Sequence, residues 1–198
     1  MRFMKIFTCF CIMILICSTC FAADKKPLRL ARLPIIFQSN QPDYNTCVTL
    51  ETKIARAVNI PMNGTLKLVE QIDMNESTSA LNTIWQNMRV ANKKSKLKDA
   101  IKPLAEKLNA DIVVCPVLRR YSETYVQTNR SLESHLVSNV SATLIVYDRR
   151  TDNLVEKNFS KHFNDSASGF GKASYLAGEC FDKLIDETNL RRTFMSIK

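Results

Sequence analysis

Histidine is almost missing from this 198-residue chain: His135 and His162 are the only two. Neither has an H-x-x-x-H partner, and no Cys-x-x-Cys pair lies beyond residue 22, so the spacings that hold zinc are absent. No apolar run reaches the roughly 20 residues needed to cross a hydrocarbon core. The Gly-Lys segment Ser168-Gly169-Phe170-Gly171-Lys172 is not a P-loop, because Ala173 stands where Ser or Thr is required and Ser166 where the first glycine belongs. It reads as an entry loop capped by Ser168. Metal, cofactor and catalytic residues are therefore all expected to be none.

The strongest positive feature is at the start. A basic segment with Arg2 and Lys5, an apolar run over residues 6–17 and a Cys20-Phe21-Ala22 site read together as a secretory signal peptide cleaved near Ala22. Ile16 precedes Cys17, and Cys17-Ser18-Thr19 precedes Cys20, so neither cysteine follows the Leu-small-small run that lipoprotein processing requires. A soluble periplasmic or secreted protein is the expectation. Residues 1–22 are assigned to the signal peptide and residues 23–198 to a single α/β domain. The formal charge of +9 falls to +7 once the cations Arg2 and Lys5 leave. Cys47, Cys115 and Cys180 remain, too many by one to pair within the chain.

Hydrophobic periodicity gives the order β, α, β, α, β, β, β, α. Residues 28–37 (LRLARLPIIF) form a first strand that Pro34 weakens as a central one, so a strand start, an edge or a bulge is expected there. A helix follows, with Thr49 as its N-cap and Leu50, Ile54, Ala57 and Val58 on one face. A turn at Met62-Asn63-Gly64-Thr65 leads to a short strand. Ser77 to Ser79 offer caps for a helix carrying Leu81, Ile84, Trp85 and Met88. Leu97, Ile101, Leu104, Ala105 and Leu108 mark another helical stretch, which Pro103 should restart or kink. From Asp111 the period is two, with apolar residues on both faces, so this strand should sit at the centre of the sheet and bury Cys115. Two more strands complete an antiparallel three-strand meander, and a helix with Leu176, Cys180, Phe181, Leu184 and Ile185 ends the fold. The fold class is α/β (α+β), a mixed β-sheet covered by about four helices.

Two surfaces stand out as candidates. Arg119, Arg120, Tyr121, Tyr125 and Arg130 surround a long hairpin, and tyrosine and arginine dominate interface hot spots. Arg89, Lys93, Lys94, Lys96 and Lys98 form the densest basic patch, suited to anionic lipid headgroups or an anionic cell-wall polymer. No aromatic residues alternate with these lysines, which argues against nucleic acid, where bases stack on rings. Glu179, Asp182 and Asp186 follow helical spacing and read as a solvated face. Six N-x-[ST] triplets, at Asn63, Asn75, Asn129, Asn139, Asn158 and Asn164, matter only in a glycosylating host.

Three stretches also resemble a group of envelope proteins. These are Arg32-Leu33-Pro34-Ile35-Ile36-Phe37, the helix-to-strand passage Leu104-Ala105-Glu106-Lys107-Leu108-Asn109-Ala110-Asp111-Ile112-Val113-Val114, and Ala142-Thr143-Leu144-Ile145-Val146-Tyr147-Asp148. The group comprises the activator lipoproteins of penicillin-binding proteins, the curli secretion channel subunit and the amino-terminal domain of the Tol translocation protein. Cys115-Pro116 departs from it, replacing a glycine often seen at that point. The resemblance implies a compact binding or assembly domain without a catalytic centre. The expected function is thus a secreted or periplasmic, non-catalytic binding or assembly protein of the cell envelope, whose partner is an envelope protein or an anionic cell-wall component, with peripheral membrane contact open. The alternative is a small secreted enzyme with an unrecognised site.

Overall fold

A computed structural model describes residues 27–59, 69–91, 94–127, 134–166 and 168–195. The signal segment 1–22, the turn at Met62 to Thr65, Lys93 and Arg130 lie outside the described residues.

One mixed sheet organises these segments. Its strands are β1 (Leu28–Arg32), β2 (Ile36–Phe37), β3 (Val69–Gln71), β4 (Ile112–Gln127), β5 (Ser134–Asp148) and β6 (Asn153–Ser166), in the spatial order β3-β1-β4-β5-β6, with β2 also paired to β4. β1 pairs in parallel with β3 and β4, and β4, β5 and β6 form the expected antiparallel meander. The helices are α1 (Tyr44–Val58), α2 (Met74–Ala91), α3 (Leu97–Leu108), α4 (Ala173–Thr188) and the short α5 (Leu190–Met195).

The central strand dictates the layers. Ile112, Val114 and Leu118 of β4 point to a core shared with Leu50 and Ile54 of α1, Leu176, Phe181 and Leu184 of α4 and Phe194 of α5. Val113, Cys115 and Val117 point the other way, to Ala31, Leu33, Leu81 of α2 and Ile101, Leu104 and Ala105 of α3. Successive side chains of a strand face opposite sides, so apolar residues at every position from 112 to 118 require helices on both faces.

Two prolines explain where the ladder breaks. Arg32 pairs with Val114 and Ile36 with Val117, so Pro34 and Pro116 fall in the same gap, and neither has an N–H to donate. The chain compensates across the gap. Leu33 donates to the Val114 carbonyl at 2.9 Å, and the Ile35 N–H donates to Glu51 Oε1 on α1 at 2.6 Å. Glu51 Oε2 meets Arg32 at 2.6 Å, which ties β1, β2 and α1 together. Pro34 therefore interrupts one strand line and yields β1 and β2.

Helix starts lie earlier than the sequence alone suggests. Asp43, not Thr49, caps α1 by accepting the Thr46 N–H at 3.1 Å, and Thr49 turns its hydroxyl to the Asn45 carbonyl. Asp73, rather than Ser77 to Ser79, caps α2 by accepting from Asn75 and Glu76. Aspartate does this well because its carboxylate also complements the positive end of the helix. α3 runs through Pro103 as one element. Asn109 and Asn189 end α3 and α4 in the left-handed region, φ 48° and 47°, a conformation asparagine tolerates. Ser168 caps a 3-10 turn over Gly169–Gly171, and the first amide of α4, that of Ala173, is taken by Glu123 Oε2 at 2.8 Å.

Cys115, Cys180 and Cys47 are all free thiols. Cys115 and Cys180 are fully buried, whereas Cys47 lies in α1, not in a loop, and is half-buried. Burial pushes the Cys115 thiol up to about 12 and the Cys180 thiol up to about 11, so both stay protonated at neutral pH. Among these three, iodoacetamide at pH 8 should label Cys47 in the folded protein, with Cys115 and Cys180 reacting only after denaturation. Mass spectrometry of timed digests reads this directly, and rapid native labelling of Cys115 would contradict its burial.

Candidate functional site

At Leu118 the central strand leaves the shelter of α2 and α3. The β4–β5 register shifts there: Leu118 faces Ala142, Arg120 faces Ser141, and Arg119 is the extra residue between them. Such a bulge re-aims side chains. Thr143 and Ile145 lie on the α2/α3 side, where Ile145 belongs to the core. Ser141 shares that side by alternation, and so does Arg120 opposite it. Arg119 also turns that way, since it lines the same cleft as Thr143 and Ile145. Beyond the bulge, Tyr121 faces Val140 and packs on the other core. The structure therefore parts the hairpin set: the two arginines occupy one face of the sheet, Tyr121 and Tyr125 the opposite one.

Arg119 instead meets the basic patch. Lys96 and Lys98 stand at the N-terminal end of α3, where the Asp99 carboxylate accepts the Lys96 N–H at 2.8 Å and fixes the entry of the chain. Together with Arg119 they border a recess of about 520 Å3, whose other walls are Trp85, Leu97, Val117, Thr143, Ile145 and Glu156. Trp85 and Leu97 also form a wall of a second recess of about 270 Å3, bounded by Leu33, Pro34, Ile36 and Leu81, with Thr78 and Asn82 as its polar members. The two recesses adjoin at Trp85 and Leu97, which line both, and are named together as a cleft with an apolar chamber, the inner one, and a charged chamber, the outer one.

Glu156 on β6 is the counter-charge of the outer chamber. Its Oε1 accepts from the Arg119 guanidinium at 3.0 Å and its Oε2 lies 3.6 Å from Lys98 Nζ. One carboxylate faces three cations, so the chamber keeps a positive excess, reinforced by the positive end of the α3 dipole. Thr143 is buried and donates its hydroxyl to Asn158 Oδ1 at 2.6 Å.

The remaining candidates lie elsewhere. Arg89 is exposed in the last turn of α2, and Lys94 is exposed in the α2–α3 connection. Tyr125 is 56% exposed and stands near the far end of β4. His135 and His162 sit on neighbouring strands but not opposite each other; His162 instead faces Asn139, with Nδ1 2.7 Å from Asn139 Oδ1. Glu179 and Asp182 are not merely solvated, since they pair with Lys161 and Lys53. A wider groove of about 1100 Å3 runs between α1 and α4, but its charges are mixed, Lys53, Arg56 and Arg192 against Asp182 and Asp186. It gathers none of the residues of the hairpin set or the basic patch.

Trp85 and Glu156 stand out among the cleft residues that sequence reasoning left out of the candidate set. Trp85 is the only tryptophan, placed on an apolar helix stripe that read as core. Glu156 lies in a strand with no evident pattern of charge.

No protein-family model matches the chain, and no curated protein matches it in sequence. Solved structures resemble it. Hypothetical protein CT253 from Chlamydia trachomatis is 14% identical, with 84% of this chain and 96% of that chain covered and a TM-score of 0.43. Lipoprotein GNA1162 from Neisseria meningitidis is 18% identical, with 82% and 99% covered and a TM-score of 0.38. The LpoB C-terminal domain from Salmonella enterica is 10% identical, with 73% and 90% covered and a TM-score of 0.34. The likeness to envelope proteins is one of fold alone. No helix among the described residues is long and apolar enough to cross a membrane.

Glu156 is 23% exposed, Arg119 46% and Lys98 42%, so their ion pairs add little to stability, within about 1 kcal/mol. Glu156→Gln should leave the melting temperature within a few degrees of the parent while raising the cleft's net charge by one. Its affinity for polyphosphate should rise several-fold at low salt and return to the parent value near 0.5 M salt, where charges are screened over about 5 Å or less. Calorimetric titration at the two salt concentrations measures it.

Proposed function

We propose that this chain, released from its signal peptide after Ala22 as one α/β domain, is a non-catalytic binding or assembly protein of the cell envelope, periplasmic or secreted. Its partner is an envelope protein or an anionic cell-wall component, engaged through the Trp85 cleft. The observation that carries this reading is the convergence of Lys96, Lys98 and Arg119 over a shared apolar wall of Trp85 and Leu97. Arg119 on β4 lies more than twenty residues from Lys96 and Lys98 at the start of α3, and only the fold brings it to them.

Binding fits the cleft better than catalysis. Its hydroxyls bond to amide and carbonyl oxygens rather than to a base, Thr143 to Asn158, Thr78 to the Met74 carbonyl and Ser95 to the Met88 carbonyl. The Cys115 and Cys180 thiols are buried and protonated, the opposite of the polar, partly exposed setting a reactive cysteine needs, and Cys47 on α1 lines neither recess. A second contact surface is the distal hairpin, where Tyr125 stands 56% exposed and Arg120 is exposed on the other face.

The test is co-sedimentation of the exported protein with cell-wall sacculi and affinity capture from envelope extract. Lys98→Ala combined with Arg119→Ala should weaken retention about tenfold or more, a loss of about 1.4 kcal/mol or more. Tyr125→Ala combined with Arg120→Ala should weaken it less. The reverse order would move the interface to the hairpin. Intact mass of the exported protein should correspond to residues 23–198; a mass that retains residues 1–22, or adds a diacylglyceryl group at Cys20, would overturn the soluble assignment.

A further inference from the structure

The geometry points to a specific ligand class for this cleft: a single-chain amphiphilic anion, with its apolar chain in the inner chamber beside Trp85 and its phosphate or carboxylate head between Lys96, Lys98 and Arg119. The inference rests on the reading of the cleft as the binding site.

Three observations carry it. The first is the adjacency of a chamber walled by Leu33, Pro34, Leu81 and Trp85 and a second recess, its charged mouth in this proposal, holding three cations against Glu156, with Trp85 and Leu97 lining both. An apolar solute without charge would leave the mouth unused, and a bare anion would leave the chamber unfilled. The second is size. About 270 Å3 holds about nine groups of about 30 Å3 each, the length of an eight- to ten-carbon chain. The two recesses together fall in the range of about 300–1,000 Å3 typical of small-ligand sites.

The third observation concerns hydrogen bonding. An extended peptide is held largely by main-chain hydrogen bonds, yet the inner chamber has only Thr78 and Asn82 as polar lining residues. The Thr78 hydroxyl already donates to the Met74 carbonyl at 2.7 Å. A chain with no hydrogen-bonding groups fits that lining, whereas a peptide would lose its backbone partners to water.

Trp85, the only tryptophan, lines both recesses and serves as the probe. Decyl phosphate, kept below its micelle concentration, should shift Trp85 emission to the blue and saturate. Decyltrimethylammonium, with the same chain and the opposite charge, should not, nor should inorganic phosphate, which offers the head alone. Lys98→Ala with Arg119→Ala should weaken decyl phosphate binding tenfold or more. Asn82→Phe, placed at an exposed position of the chamber wall, should do the same by filling the space, with the melting temperature of each variant as the control for folding.

Equal response to the cationic amphiphile would overturn the anion requirement. Binding undiminished in both variants would place the ligand outside the cleft, and saturable capture of an acidic peptide in place of decyl phosphate would overturn the amphiphile. If sacculus or envelope retention depends on Lys98 and Arg119 while decyl phosphate leaves Trp85 unchanged, the ligand class falls and the binding site stands. If neither depends on them, both fall.

Discussion

Burial of β4 on both of its faces is the constraint from which the rest of the structure follows. Between Ile112 and Leu118 every side chain but Pro116 is counted in one core or the other, and each face needs its own helical cover. α1 and α4 supply one cover, α2 and α3 the other. The strand also needs partners along both edges, parallel β1 and β2 on one side and antiparallel β5 on the other. Its proline is accommodated because the facing line breaks at Pro34, and the donor freed at Ile35 is taken by Glu51. Two residues that would each damage a regular sheet are placed where they share one defect.

The cleft is a by-product of incomplete cover. α2 and α3 pack over the stretch of sheet that carries Val113, Cys115 and Val117, and the bulge at Arg119 lies just past it. At that seam, apolar side chains belonging to the core stand next to charged ones belonging to the solvent-facing sheet. Trp85 borders both, lining the apolar recess with Leu81 and Leu97 and the charged one with Lys96 and Lys98. The charges are close enough to act together and exposed enough to be cheap in stability, as the proposed binding role requires.

Much of this architecture is written plainly in periodicity. The doubly apolar run from Ile112, the meander and the amphipathic α4 stripe are local patterns, and the structure has them where the sequence puts them. The helix starts were less legible because Asp43 and Asp73 compete with nearby threonines and serines for the same role, and the choice depends on where the preceding strand releases the chain. The candidate site was half legible. Lys96, Lys98 and Arg119 could be named from charge alone, but their union depends on a bulge and on Glu156 of β6, neither of which a one-dimensional pattern encodes. The grouping of Arg119 with Tyr121 and Tyr125 reflects proximity in sequence, which a strand divides between two faces.

The position of β1 has a consequence for the order in which the chain is made. β1 is hydrogen-bonded on both edges, yet the aspartate that accepts from Arg29 lies 82 residues further along. β4, β5 and β6 are joined by hairpins, so their loops close at far lower entropic cost. The first strand to emerge during synthesis is therefore among the last to find its place. Until residue 111 and its successors arrive, the edge of β1 that β4 will cover stays open, a form prone to pairing with other chains. The amino-terminal third of the fold is thus completed only by a strand made after it, and its sheet closes late in the life of the growing chain.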